Sequence, residues 1–399
     1  MHTPSLSRPL VALFACASGF SVANVYYAQP LLGALADDFG IARAAIGGVV
    51  TATQAGSVLA LLLLVPLGDL LQRRRLMLWQ MLALVVALLT ASSASSAGWL
   101  MAAMLAVGLL GTAMTQGLIA YSAAAADPSE RGAVVGAAQG GVVSGLLLAR
   151  VVAGAVSDLT GWRAVYGGSA LAMLVMGVLL WRLLPALPVP QHALSYPRLL
   201  DSMFTLLRDD RVLRVRGVVA LLMFAAFNIL WSALVLPLSA APYYYSHTAI
   251  GAFGLVGLAG TLAAARAGRW ADHGYSRRTS AVALVLLLLS WLPLSAAFTP
   301  GAGTVTTVLM LVLGILMLDL GVQALHVTNQ SLIFRAGNAS HSRLVGCYML
   351  FYAVGSGTGA WAATAVFDIG GWHGVCALGA GVSLAALGFW MWAEKNRAR

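Results

Sequence analysis

The sequence predicts an all-α membrane protein of twelve transmembrane helices, arranged as two parallel six-helix repeats. Three observations predict it. Of 399 residues, 60% are apolar and 9% charged, whereas a soluble domain carries about 25% charged residues. Twelve predominantly apolar runs are long enough to cross a hydrocarbon layer, which takes about 20 residues of helix. Short motifs also recur in the same order at offsets of 203–212 residues, the mark of an internal duplication.

The runs lie at 9–35, 45–67, 76–97, 99–125, 132–157, 164–184, 215–238, 249–268, 279–298, 304–333, 345–366 and 374–393. Several exceed the length a bilayer core requires, so tilt is expected. With the N-terminus in the cytoplasm, 20 of the 23 basic residues fall at cytoplasmic loops, termini or helix ends, among them Arg75, Arg131, Arg277, Arg278 and Lys395. Arg43 and Arg163 fall outside, and Arg150 lies within a span. This bias places both termini in the cytoplasm and explains the net charge of +10 without nucleic acid as a partner. Cys16, Cys347 and Cys376 fall within spans and read as small buried hydrophobes, not as a disulfide or metal set. The first run carries no small-residue cleavage pattern and is too long for a signal peptide, so it reads as the first span.

Five matches carry the duplication. Phe20-x-x-x-Asn24 recurs as Phe224-x-x-x-Asn228, and Ala45-Ile46-Gly47 as Ala249-Ile250-Gly251, both at an offset of 204. Asp69 followed by Arg73 and Arg74 recurs as Asp272 followed by Arg277 and Arg278, and Arg131 recurs as Arg343. Asp158-x-x-Gly161-Trp162 recurs as Asp368-x-x-Gly371-Trp372, at an offset of 210. Six spans per half is an even number, so both halves enter the membrane in the same direction and the repeat is parallel. The expected organisation is a six-helix bundle at 1–184, a cytoplasmic linker at 185–214 and a second bundle at 215–399. Within the linker, YPRLLDSMFTLLRDDRVLRVRG reads as an amphipathic helix on the inner membrane face.

At this point the chain resembles the major facilitator superfamily over essentially its whole length. The most specific likeness is Pro66-Leu67-Gly68-Asp69-Leu70-Leu71-Gln72-Arg73-Arg74-Arg75, similar to the superfamily's loop G-x-x-x-D-x-x-G-R-[KR]. Asp69, Arg73 and Arg74 match, while Val65 and Gln72 replace the two glycines; the second copy keeps Gly268 and Asp272. NVYYAQPLL and DLGVQALHVTNQ resemble the branch of bacterial inner-membrane efflux permeases. The resemblance implies a monomeric secondary transporter in a bacterial inner (plasma) membrane, working by alternating access without a cofactor. It also implies that Asp69, Arg73, Arg74 and Asp272 act in conformational gating, with plain topogenic charge as the alternative.

Spans three, six, nine and twelve hold almost no large polar side chain away from their ends, as lipid-facing helices should. Spans one, four, seven and ten differ. They hold Asn24, Tyr27 and Gln29; Thr115, Gln116 and Tyr121; Asn228 and Trp231; and Asp319, Gln323, His326 and Gln330. Amides facing lipid would lack partners, and the superfamily's fold sets these four helices around a central cavity. The four polar residues of span ten lie within about 60° of one another around the helix, and Asp319 sits roughly 22–24 Å from either end, near mid-membrane depth. Asp319 is expected to couple transport to protons with His326 as neighbour, while Asn24, Tyr27, Gln116, Asn228, Trp231, Gln323, Gln330 and Arg150 meet substrate. The alternative is an acid and amides that hold helices together.

Arg150 lies roughly 28 Å along its helix from Arg131 and needs a carboxylate, backbone carbonyls or an anionic substrate group. A pair with Asp319 and a local pair toward Asp158 are both open. Two departures from the superfamily weaken proton antiport: Ala113 stands where an arginine often precedes Gln116-Gly117, and the fifth span has Gly136, Gly140, Gly141 and Gly145 in place of a Gly-Pro pair. Coupling would then rest on Asp319.

The expectation is a transporter that moves a small molecule outward, with the proton gradient as its energy source. A uniporter, or a proton symporter for a sugar-like or anionic metabolite, is the alternative. A receptor or intramembrane enzyme on the same fold is the rival from another class. H-E-x-x-H, G-x-S-x-G and G-x-x-x-x-G-K-[ST] are absent from the sequence, so no catalytic or metal-binding residues are expected.

Overall fold

The computed structural model describes residues 6–127, 129–185, 187, 195–257, 270, 274–299, 301, 303–336 and 341–396. In chain order the helices are α1 (Arg8–Tyr26), α2 (Ala28–Phe39), α3 (Gly48–Leu59), α4 (Arg73–Ser92), α5 (Ala97–Ala125), α6 (Arg131–Thr160), α7 (Trp162–Leu183) and α8 (Tyr196–Asp209). They continue as α9 (Arg211–Ala233), α10 (Val235–Ser239), α11 (His247–Ala252), α12 (Ser276–Leu289), α13 (Trp291–Ala296), α14 (Thr304–Ala336) and α15 (His341–Lys395). Among the described residues ten helices are long and apolar enough to cross a membrane. One of them, α15, is two spans joined at Gly371. The apolar helix His247–Gly257 opens span eight, whose remainder lies outside the described residues. The expected twelve-span, all-α architecture is thereby accounted for.

Prolines explain where the spans bend. Pro30 has no N–H, and its ring excludes the carbonyl four residues back, so the first span breaks at Tyr27 into α1 and α2. Pro237 breaks the seventh span at Leu234 by the same route, and Pro293 separates α12 from α13. Two glycines close the repeated motif. Gly161 at φ +90° turns α6 into α7, and Gly371 at φ +57° splits α15. A side chain with a Cβ is strained at such angles, so the recurring Asp-x-x-Gly-Trp encodes one turn used twice.

The backbone clusters into two units, Met1–Leu31 with Ala52–Ser202, and Leu32–Thr51 with Met203–Arg399. In the first unit α1 crosses α6 at Gly141-x-x-x-Gly145. A Cβ on Gly141 would stand 2.0 Å from the Ala15 carbonyl oxygen, and one on Gly145 would stand 2.2 Å from that of Gly19. Gly136 and Gly140 meet nothing within 4 Å, so only half of that glycine set makes the crossing. In the second unit α9 crosses the first leg of α15 at Gly355-x-x-x-Gly359, where added Cβ atoms would stand 2.1 Å from the Leu221 oxygen and 2.4 Å from the Ala225 oxygen. Both crossings use small residues to bring backbones together, which drives helix association where no water is present.

Residues 32–51 pack in the second unit. The Thr364 hydroxyl accepts from the Gly47 N–H at 3.2 Å and donates to the Ala44 carbonyl at 3.0 Å, while Thr51 Oγ1 donates to the Gly357 carbonyl at 2.8 Å. Exposed apolar side chains mark the expected lipid-facing spans, including Leu82 and Val86 on α4, Leu171 and Trp181 on α7, Val282 on α12 and Trp392 on α15. Cys347 and Cys376 are buried, but Cys16 is exposed. That corrects the expectation for Cys16: against lipid an apolar thiol loses nothing by lying on the outer face. Helix α8 buries Leu199 and Met203 and exposes Phe204. It ends where the Asp210 carboxylate accepts the Leu213 N–H at 2.9 Å and caps α9, so the basic stretch from Arg211 begins a span.

Candidate functional site

Each unit holds a buried polar cluster. In the first, the bend at Tyr27 sets Tyr26 at the end of α1 and Gln29 in the first turn of α2. Both reach Arg150 on α6. Its Nε donates to Gln29 Oε1 at 2.9 Å, and its guanidinium carbon lies 5.6 Å from the centre of the Tyr26 ring. Arg150 is only 2% exposed, so an amide dipole and an aromatic face take the place of water around the charge. Asn24 is fully buried; its Nδ2 donates to the Phe20 carbonyl at 2.8 Å, and its Oδ1 accepts from Ser169 Oγ at 2.6 Å. Tyr27 is buried. Gln116 is half-buried on α5, beside Thr115, whose hydroxyl turns back to the Gly111 carbonyl.

In the second unit, Asp319, Gln323, His326 and Gln330 lie on the unbroken helix α14, which realises the predicted stripe. Asp319 is buried at 5% exposure, and the other three are half-buried. His326 Nδ1 lies 3.0 Å from Tyr348 Oη, with its ring edge-on to Phe224 at 5.3 Å between centres. Tyr352 meets the same Phe224 ring at 4.3 Å. Trp231 is buried and stacks obliquely near Phe227. Asn228 is fully buried, and its Nδ2 donates to the Phe224 carbonyl at 3.1 Å. The repeated Phe-x-x-x-Asn motif is therefore one hydrogen bond made twice, each amide NH2 donating to the carbonyl one turn back on its own helix.

The loop residues diverge. Asp69 pairs with Arg73 at 3.1 Å, and Arg73 Nε also donates to the Gly68 carbonyl at 2.9 Å. Arg74 turns away to the Trp181 carbonyl at the end of α7. Asp272 lies outside the described residues. Among the described residues no group of three or more His, Cys, Asp or Glu side chains could hold a metal ion.

Sequence reasoning named Tyr348 and Tyr352 among the aromatics available to substrate, but missed Ser169 and Phe224 as site neighbours. Ser169 is a hydroxyl near the start of a span otherwise read as lipid-facing, which was the available signal. Phe224 resembles an ordinary core aromatic until the packing of α9 against α14 brings it to His326, and the packing of α15 sets Tyr348 at the same imidazole.

Residues 12–244 match the family model described as Major Facilitator Superfamily. The chain is similar to the uncharacterized transporter YgaY of Escherichia coli K12, at 42% identity over 393 residues covering 96% of this chain and 95% of that one. A Streptomyces coelicolor protein named as a transporter is 31% identical over 386 residues, covering 93% and 84%. In structure the chain is similar to the peptide transporter POT, with a TM-score of 0.74, 15% identity and coverage of 96% and 98%. The nucleoside transporter NupG matches with a TM-score of 0.73, 16% identity and coverage of 96% and 99%. At such identities the two structures speak for the fold alone.

Proposed function

The chain belongs to the major facilitator superfamily and is a multi-pass membrane transporter; from that premise we propose that it is a proton-coupled secondary transporter that exports a small molecule across the bacterial inner membrane. Both termini lie in the cytoplasm on this reading, and the carrier works as a monomer, without a cofactor, by alternating access.

One observation carries the proposal: a carboxyl group, Asp319, is buried at the middle of the unbroken span α14. Ionisable groups at that depth are costly and are kept for ion or substrate pathways. Asp319 takes up and releases the proton, and His326, held by Tyr348, is the next titratable group along the same stripe, beyond Gln323. On this reading Asn24, Tyr27 and Gln116 of the first unit, and Asn228, Trp231, Gln323 and Gln330 of the second, recognise substrate through amides and aromatic rings. These residue types suit an amphipathic molecule. Arg150 supports a second reading, proton symport of an anionic metabolite, because a buried guanidinium favours a carboxylate or phosphate. Asp69 and Arg73 set the balance between states, together with Arg74 and Asp272.

The test begins with growth inhibition by a panel of amphipathic compounds in cells that express the chain or its Asp319→Asn variant. Compounds that the wild type exports are then followed in proteoliposomes under an imposed proton gradient. Export that needs the gradient in the wild type and not in Asp319→Asn is expected. Gradient-driven export of equal size in the variant would remove Asp319 from coupling. Flux indifferent to the gradient in the wild type would make the carrier a uniporter.

A further inference from the structure

Between α4 and α7 an apolar groove of about 180 Å³ opens on the exposed face of the first unit. Each helix contributes four apolar residues at i, i+3, i+4 and i+7 spacing, Leu78 to Val85 on α4 and Leu174 to Trp181 on α7. Gly177 leaves the floor open: a Cβ there would stand 3.0 Å from Met81 Cγ. The helices run antiparallel, with Arg74 bonded to the Trp181 carbonyl at one end and Ser92 Oγ donating to the Arg163 carbonyl at 2.9 Å at the other. The first end is therefore also where Arg74 and Arg75 open α4 and Arg182 closes α7.

Apart from Arg73, which is committed to Asp69, the arginines at that end meet no carboxylate among the described residues, and Arg75 and Arg182 are exposed. Arg74 Nε is buried without a hydrogen-bond acceptor among the described residues. Trp181, 59% exposed, stands where an indole marks the boundary between acyl chains and headgroups. A hydrocarbon groove that ends at a cluster of guanidinium groups matches the two ends of one kind of molecule. Zwitterionic lipids fit the groove but bring no net charge to the arginines, and a free anion would leave the groove unused.

We infer that α4 and α7 form a binding site for an anionic glycerophospholipid, with one acyl chain in the groove and the headgroup phosphate on Arg74, Arg75 and Arg182. Guanidinium groups favour phosphate through paired, charge-assisted hydrogen bonds, and basic residues at the membrane surface add to the attraction. The inference needs only a membrane-embedded chain, so it stands apart from the direction and energy source of transport.

The test is native mass spectrometry of the full-length chain with phosphatidylglycerol and phosphatidylcholine of matched acyl chains, added in equal amounts. The wild type is expected to retain phosphatidylglycerol about fivefold over phosphatidylcholine, and Arg75→Gln/Arg182→Gln to bring that ratio to about twofold or less. Val178→Trp, which fills the groove and leaves the arginines, should lower retention of both lipids. Equal retention of the two lipids by the wild type overturns the proposal without recourse to any variant. A preference that survives Arg75→Gln/Arg182→Gln, or unchanged retention in Val178→Trp, overturns it as well.

Discussion

Arg150 Nε and Gln29 Oε1 lie 2.9 Å apart inside the first unit, tying α6 to the first turn of α2 just beyond the proline bend. The two partners do not contribute alike. Arg150→Met removes the buried charge together with its need for a partner, so little stability should be lost. Gln29→Leu leaves the guanidinium short of an acceptor at 2% exposure, at a cost of about 1.5–3 kcal/mol. Thermal unfolding in detergent is thus expected to fall more in Gln29→Leu, whereas transport falls more in Arg150→Met. The opposite order would mean that Arg150 serves the fold alone.

The glycine crossings give a paired comparison. Gly145→Val and Gly359→Val each force a side chain into a carbonyl oxygen, 2.2 Å and 2.4 Å from the added Cβ, and should abolish the yield of folded protein. Gly140→Val lies five residues before Gly145 on the same helix, with nothing within 4 Å, and should change stability by about 0.5 kcal/mol or less. Size-exclusion profiles of the three variants read the contrast directly.

Glu394 and Arg216 form a shielded pair at 3.0 Å, with side-chain exposures of 14% and 4%, and Ser280 adds a third partner at 3.2 Å from Arg216. Breaking such a pair from one side costs about 3 kcal/mol or more, because the remaining charge stays buried. Glu394→Ala should therefore lower the unfolding temperature clearly. Glu394→Gln keeps an acceptor and should lose less. Similar losses in the two variants would show that the hydrogen bond contributes little beyond the charge.

Asp69 and Arg73 are paired at 3.1 Å but stay 40% and 27% exposed. An exposed pair of this kind contributes about 0–1 kcal/mol, so Asp69→Asn should leave thermal unfolding nearly unchanged. If the pair instead biases the carrier's states, the same substitution slows transport several-fold at unchanged stability. Comparing initial rates with unfolding temperatures for one preparation decides it.

The span count, the parallel repeat and the stripe on α14 were legible because the membrane restricts what a sequence can mean. A backbone in lipid must satisfy its own hydrogen bonds, so an apolar run of sufficient length reads directly as a helix. Phe20-x-x-x-Asn24 and Phe224-x-x-x-Asn228 were visible as a repeat for the same local reason: each is a bond between residues one turn apart. Proline bends at Tyr27 and Leu234, and left-handed glycines at 161 and 371, likewise depend on chemistry within a few residues.

Tertiary structure decided everything that joins distant segments. Nothing near Arg150 in the chain points to Gln29, 121 residues away, and either a local acid or a partner elsewhere was compatible with the sequence. Thr364 meets Gly47 across 317 residues, and Tyr348 reaches His326 only because α15 packs beside α14. Which glycines of α6 make the crossing also depends on where α1 lies, since Gly140 and Gly141 differ by one residue and only Gly141 faces Ala15. The physical reason is the same in each case. Local propensity and hydrophobic period act within a turn or two of helix, whereas the partner of a buried polar group is chosen by which faces the packed helices turn toward one another.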